Sequence, residues 1–208
     1  GMTATPDRSD EFDIYSLFNH NIIYEIRLKN ALEEDMLCSF NYFGITDNAI
    51  DVNDMSKTRI DNIIENIEYY GYSGSRVKGL IFCNNIHNAK ILSKEFNNRG
   101  YRTLSLSGNN TQKERKDTID RLVNDDRCDN LDYIITVDIF NEGVDIKEVN
   151  QIVMLRETES SIIFIQQLGR GLRKYSNKEF VVVLDFIGNY KNNFLIPVAL
   201  SGDTTYNK

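Results

Sequence analysis

Residues 166–173 read Gln166-Gln167-Leu168-Gly169-Arg170-Gly171-Leu172-Arg173. On a helix, Gln166, Arg170 and Arg173 stand at i, i+4 and i+7, which puts both guanidiniums on one face. Like charges so placed repel, so a purely structural helix gains nothing from them. A polyanion fitted between them reverses the balance, because the arginine fork matches phosphate oxygens in geometry and charge. Gly169 and Gly171 weaken a helix but let a partner surface come close. The opposing reading is a solvated helix end with scattered arginines.

Other residues suited to the same chemistry lie upstream. Asn141-Glu142-Gly143-Val144-Asp145 follows an apolar run that ends at Val137. In an open parallel sheet, ligands collect beyond the carboxyl ends of the strands. There Gly143 lets backbone approach a ligand, and Asp145 can accept from a ribose hydroxyl or hold an arginine. Thr136, at the strand end, can donate to a nucleic-acid phosphate. In isolation Glu-Gly-Val-Asp is an ordinary turn. Asn84, Asn85 and Asn88 flank a helix start, where free N–H groups bind phosphate; plain capping accounts for any one of them.

The elements that must position these residues alternate. Short apolar runs at 79–83, 103–106, 133–137, 151–155 and 180–184 predict strands. Helical periodicity runs from Ile86 to Arg99 and stops at Gly100, where a C′ glycine belongs. Thr111 caps a predicted helix over 112–123, with Glu114 at capping-box spacing. Ser160 or Ser161 opens the helix that carries the arginines. Upstream, the pattern predicts a helix over 22–36, a strand over 37–43 at a sheet edge, a polar loop over 46–56 and a helix from Ser56 to about Tyr70. Apolar strands separated by helices mean an α/β fold, a parallel sheet covered by helices on both faces.

The 208 residues carry 41% hydrophobic and 26% charged side chains, ordinary for a globular domain. No apolar run approaches a membrane span and no secretory signal is evident, so no membrane partner is expected. Cys38 and Cys83 sit in apolar runs and read as core thiols; Cys128 reads as a surface residue. Three widely spaced cysteines fit a reduced, cytoplasmic setting. No Cys/His cluster has metal spacing, so no metal ligand is assigned. Net charge is −7, yet residues 76–116 hold nine Lys/Arg against only Glu95 and Glu114. That segment reads either as a polyanion footprint or as solvated helix faces.

Read in order, these pieces resemble superfamily 2 helicases of the DEAD/DEAH type. Residues 166–173 resemble motif VI, Q-x-x-G-R-x-x-R; 136–146 resemble motif V; 80–89 are similar to motif IV; and Thr3-Ala4-Thr5-Pro6 resembles motif III. Ser107-Gly108 with Glu114-Arg115 looks like the family's next backbone-contacting element, although many relatives have histidine where Ser107 stands. The runs 24–27 through 44–46 and 185–190 through 201–203 resemble bacterial restriction-enzyme-like helicases, which often carry a phospholipase-D-like nuclease domain.

The resemblance implies the second RecA-like domain of a DNA helicase or translocase. Residues 1–20 would end the first motor domain, 21–200 would form the second, and 201–208 would begin a following segment. Arg170 and Arg173 would be catalytic, acting on the γ-phosphate of ATP. Gly143, Asp145, Gln166 and Gly169 would bind nucleotide. Asn84, Asn85, Ser107, Gly108, Arg115 and Thr136 would bind nucleic acid, DNA in preference to RNA. ATP and Mg²⁺ would serve the full-length enzyme, with the first RecA-like domain of the same polypeptide as partner. This part lacks the phosphate loop and the Asp-Glu pair that hold Mg²⁺ and phosphate. It is therefore expected to bind no cofactor and turn over no ATP alone. The alternative is a non-catalytic helicase-like binding module for nucleic acid or protein, which has no need of both Arg170 and Arg173. An unrelated doubly wound enzyme lacks support, because its glycine-rich dinucleotide turn is missing.

Overall fold

The computed structural model describes residues 16–17, 19–21, 28–46, 54–137, 146–156, 169 and 171–187. Along the chain these form α1 (Leu28–Glu33), β1 (Ser39–Thr46), α2 (Lys57–Tyr70), β2 (Gly79–Phe82), α3 (Ile86–Asn98), β3 (Thr103–Leu106), α4 (Gln112–Val123), β4 (Tyr133–Thr136), β5 (Gln151–Met154) and β6 (Phe180–Ile187). The strands make one sheet in the order β1-β6-β5-β2-β4-β3. Every pairing is parallel, so all carboxyl ends share one edge. Register aligns Gly44, Asp185, Met154, Phe82, Thr136 and Leu106 in a row near that edge.

The predicted α/β fold holds, with both faces covered. On one face Ile60, Ile63 and Ile67 of α2 and Leu92 and Phe96 of α3 pack on Ile81, Ile135, Val153 and Leu184. On the other, Leu122 of α4, Leu131, Leu172 and Cys38 pack on Leu80, Ile134, Ile152 and Val183. Period-2 alternation assigns alternate strand residues to the two layers.

The capping signals hold as well. Ser56 caps α2 by accepting from Arg59 N. Thr111 and Glu114 form the expected capping box on α4. Gly100 follows α3 with φ +93°. Cys38 and Cys83 are buried and Cys128 is exposed, with all three thiols free.

Several boundaries move. The described end of α1 is Glu33, short of Met36. Asp35 adopts φ 55°, and Met36 N donates to Ala31 O at 2.9 Å while Asp35 N donates to Leu32 O at 3.1 Å. This double bond pattern is a Schellman termination, with aspartate where glycine is usual. The predicted strand 37–43 begins later, at Ser39, because Cys38 N turns to Leu172 O at 2.6 Å. It also runs longer, to Thr46, and β6 lengthens with it to Ile187 because the two pair throughout. As expected, β1 is an edge strand.

Candidate functional site

At the carboxyl edge, two strand-to-helix turns stand side by side. The first leaves β2, where Asn84, Asn85 and Asn88 form a cluster. Asn85 Oδ1 caps α3 by accepting from Asn88 N at 2.8 Å. Asn85 Nδ2 and Asn88 Nδ2 both donate to Asn84 Oδ1 at 3.1 Å. Capping therefore explains Asn85, and the cluster fixes the helix start at the rim; Asn84 and Asn85 are half-buried while Asn88 is buried.

The second turn leaves β3. Asn110 Oδ1 accepts from Ser107 N at 2.9 Å, and Asn110 N donates to Ser107 O at 3.1 Å. Ser107 is buried at 8% exposure, whereas Gly108 is exposed and a Cβ there would meet nothing within 4 Å. Between the two turns lies a cavity of about 200 Å³, lined by Ile86, Lys90, Ser105, Ser107, Asn109 and Asn110 among others. Lys113 and Lys116, early in α4, are exposed. The N-terminus of α3, capped by Asn85, and that of α4, closed by the Thr111–Glu114 capping box, both lie at this rim, and Lys90 and Glu114 bring one charge of each sign to the lining.

Two sequence expectations change in this region. Arg115 turns inward, its Nη2 donating to Gly108 O at 2.9 Å. It braces the loop rather than presenting its charge to a phosphate. Thr136 has no exposed surface, and its Oγ1 is a buried atom without a hydrogen-bond partner. A side chain so enclosed does not reach a phosphate at the surface; it stands in the sheet row beneath the rim.

The basic segment 76–116 also divides. A helix that follows a strand runs back across the sheet, so strand starts and helix ends share the opposite, amino edge. Arg76 and Lys78 pair with Asp125 there. Arg99 pairs with Asp61 and Glu95, and Arg102 with Asp132. These four residues hold the amino edge together and cannot belong to one footprint with Lys90, Lys113 and Lys116.

The arginine segment departs from a continuous helix. Gly169 lies in an exposed turn, Gly171 in a buried one, and Arg173 is exposed at a bend. A Cβ on Gly171 would lie 3.3 Å from both Ile152 Cδ1 and Val149 Cγ1. The close approach that Gly171 permits is therefore to its own sheet, not to a partner. Leu172 is buried and its carbonyl holds Cys38 N, so the chain leaves helical geometry before Arg173. Helical spacing does not carry the second guanidinium; the turn does. Gly143, Asp145, Gln166 and Arg170 lie outside the described residues, as do Thr3 to Pro6 and the helix start at Ser160 or Ser161.

Sequence reasoning missed two buried polar features. Lys178, 7% exposed, donates from Nζ to the carbonyls of Lys147, Val149 and Gly171. Tyr42 donates its hydroxyl to Asp185 Oδ2 at 2.7 Å. Burial pushes the Asp185 carboxyl above the ordinary 3.8, against the lowering effect of that bond. A lone acid inside the apolar run 180–187 was the available signal for Asp185. Burial likewise pushes the Cys83 thiol to about 12, which leaves it inert. Among the described residues, no group of His, Cys, Asp or Glu could hold a metal ion. No helix among them is long and apolar enough to cross a membrane.

Residues 58–175 match the profile of the helicase conserved C-terminal domain. Over 205 residues the chain is 24% identical to the Saccharomyces cerevisiae protein named "Putative ATP-dependent helicase IRC3", covering 90% of this chain and 29% of that one. It is 23% identical to a 51.5 kDa protein of a Lactococcus phage, covering 91% of this chain and 43% of that protein. The chain thus spans less than half the length of either relative. Among solved structures, it resembles "the fragment structure of a putative HsdR subunit of a type I restriction enzyme" from Vibrio vulnificus, with TM-score 0.76, 21% identity and coverage of 96% and 41%. It resembles the C-terminal domain of the DEAD-box protein Dbp5 with TM-score 0.56, 18% identity and coverage of 81% and 86%.

Proposed function

The chain belongs to the family of helicase conserved C-terminal domains, and from that premise we propose that it is the second motor domain of an ATP-dependent DNA helicase or translocase. The observation that carries the reading is the convergence of two strand-to-helix turns on one rim. Asn84, Asn85, Ser107 and Gly108 lie there with the exposed Lys90, Lys113 and Lys116. Backbone N–H groups, short polar side chains and lysines track a phosphate chain without reading bases. Arg115 keeps the second turn in shape.

Arg173, with Arg170, supplies positive charge to an ATP site shared with a first RecA-like domain. Gly143, Asp145, Gln166 and Gly169 line its nucleotide side. ATP with Mg²⁺ would be held mainly by the first domain, its γ-phosphoryl group passing to water as ADP leaves. The arginines stabilise charge on that group in transit, a role worth on the order of 10³–10⁵ in rate. Exposure of Arg173 at a bend suits a side chain that completes a site on another domain.

The test is ATP turnover by the full-length protein. Arg173→Ala is expected to lower kcat by at least about 10²-fold, with turnover stimulated by single-stranded DNA more than by RNA. Near-normal kcat with both Arg170 and Arg173 replaced would overturn the motor reading in favour of a binding module.

A further inference from the structure

The segment that follows motif V, residues 146–149, and the segment that ends motif VI, residues 171–173, are joined by one ammonium group. Lys178 Nζ donates to Lys147 O at 2.5 Å, to Gly171 O at 2.6 Å and to Val149 O at 3.1 Å. An ammonium has three donors in tetrahedral array, and here they reach carbonyls from both segments. Lys178 is only 7% exposed. Taking such a charge out of water is costly, so it is weak evidence of stabilisation and better evidence of a required geometry.

Two further contacts tie residues 146–149 to residues 171–175. Lys147 Nζ stands 5.5 Å from the centroid of the Tyr175 ring. Gly171 packs so closely on Val149 that a Cβ would lie 3.3 Å from Cγ1 and 3.5 Å from the carbonyl oxygen. The turn that presents Lys178 is itself closed, with Lys178 N donating to Tyr175 O at 3.1 Å. Arg173 lies two residues beyond Gly171 on this braced path.

We propose that Lys178 is a positioning residue that locks the exit of motif V to the exit of motif VI and thereby sets where Arg173 stands. The inference rests on the motor reading above. Lys178 Nζ donates to backbone carbonyls. It acts through the backbone at Gly171, so its removal displaces a charge needed in the transition state while leaving ground-state binding in place.

The experiment compares Arg173→Ala, Lys178→Met, Lys178→Gln and the double variant Arg173→Ala/Lys178→Gln in the full-length protein. Steady-state ATPase is measured with DNA present. Lys178→Met and Lys178→Gln are expected to lower kcat about 10-fold or more, with KM for ATP within about twofold. The double variant is expected to be no slower than Arg173→Ala alone, because one interaction cannot be lost twice. If Lys178→Met does not fold, Lys178→Gln retains an amide donor, and Gly171→Ala strains the same contact from its other side. Losses that add, or kcat within about twofold of wild type when Arg173→Ala is slow, would overturn the role of Lys178 alone. Unchanged kcat in Arg173→Ala would overturn the motor reading, and this inference with it.

Discussion

Arg115 gives its Nη2 hydrogen to the carbonyl of Gly108 at 2.9 Å, so this guanidinium is spent on the protein's own loop. The side chain is half-buried, with Nε enclosed and without a hydrogen-bond partner. Charge offered to a strand must come from Lys90, Lys113 and Lys116 instead.

Salt dependence separates those roles. Lys113→Ala/Lys116→Ala is expected to flatten the log–log salt slope of single-strand binding by about one unit, since each neutralised phosphate contributes roughly −0.7. Arg115→Ala should weaken binding by loosening the turn with less change in slope. Arg102→Ala, at the amino edge and paired with Asp132, should leave binding alone. Anisotropy of labelled strands at several salt concentrations measures all three; an Arg102→Ala effect equal to that of the lysine pair would dissolve the footprint.

Gly79 and Gly108 make a contrast in space. A Cβ on Gly79 would collide with the Tyr133 ring at Cδ1. Tyr133 is 1% exposed and is tied by its hydroxyl to Gln151 Oε1 at 2.6 Å, so the ring has no room to move. Gly79→Ala is expected to cost about 3 kcal/mol by overpacking. Gly108→Ala meets nothing and should change stability by less than about 0.5 kcal/mol, while weakening strand binding by crowding the backbone contact. Urea unfolding and strand titration of both variants check this.

Asp185 makes stability depend on pH in a stated direction. Its pKa is raised by burial above 3.8 in the folded chain, so the folded state holds the proton more tightly than the unfolded one. Its favourable contribution is full below 3.8 and is lost as pH rises through the folded value. Asp185→Asn should therefore flatten the decline of stability over that window. Tyr42→Phe removes the bond that lowers the carboxyl and should steepen the decline. Urea midpoints from acid to neutral pH decide; parallel curves for wild type and Asp185→Asn would contradict the assignment.

The chain on its own is expected to release no phosphate from ATP above background. The phosphate loop and Mg²⁺-holding pair of a complete site are not among its 208 residues. Phosphate release by the purified chain that disappears in Arg173→Ala would defeat this expectation.

Local chemistry was legible in the residues. Apolar runs announced the strands, and Ser56, Thr111 and Gly100 marked helix ends, because caps and periodicity depend on neighbours a few positions apart. The charge spacing from Gln166 to Arg173 supports the proposed phosphate chemistry by the same local reasoning. Beyond the edge position of β1, whatever depends on which strand lies beside which was not legible. Tyr42 meets Asp185 across 143 positions only because β1 pairs with β6. The basic segment 76–116 falls to opposite edges because α3 runs back across the sheet. Lys178 meets Gly171 and Val149, and Arg173 leaves helical geometry, because packing on the sheet overrides the period that the arginine spacing implied.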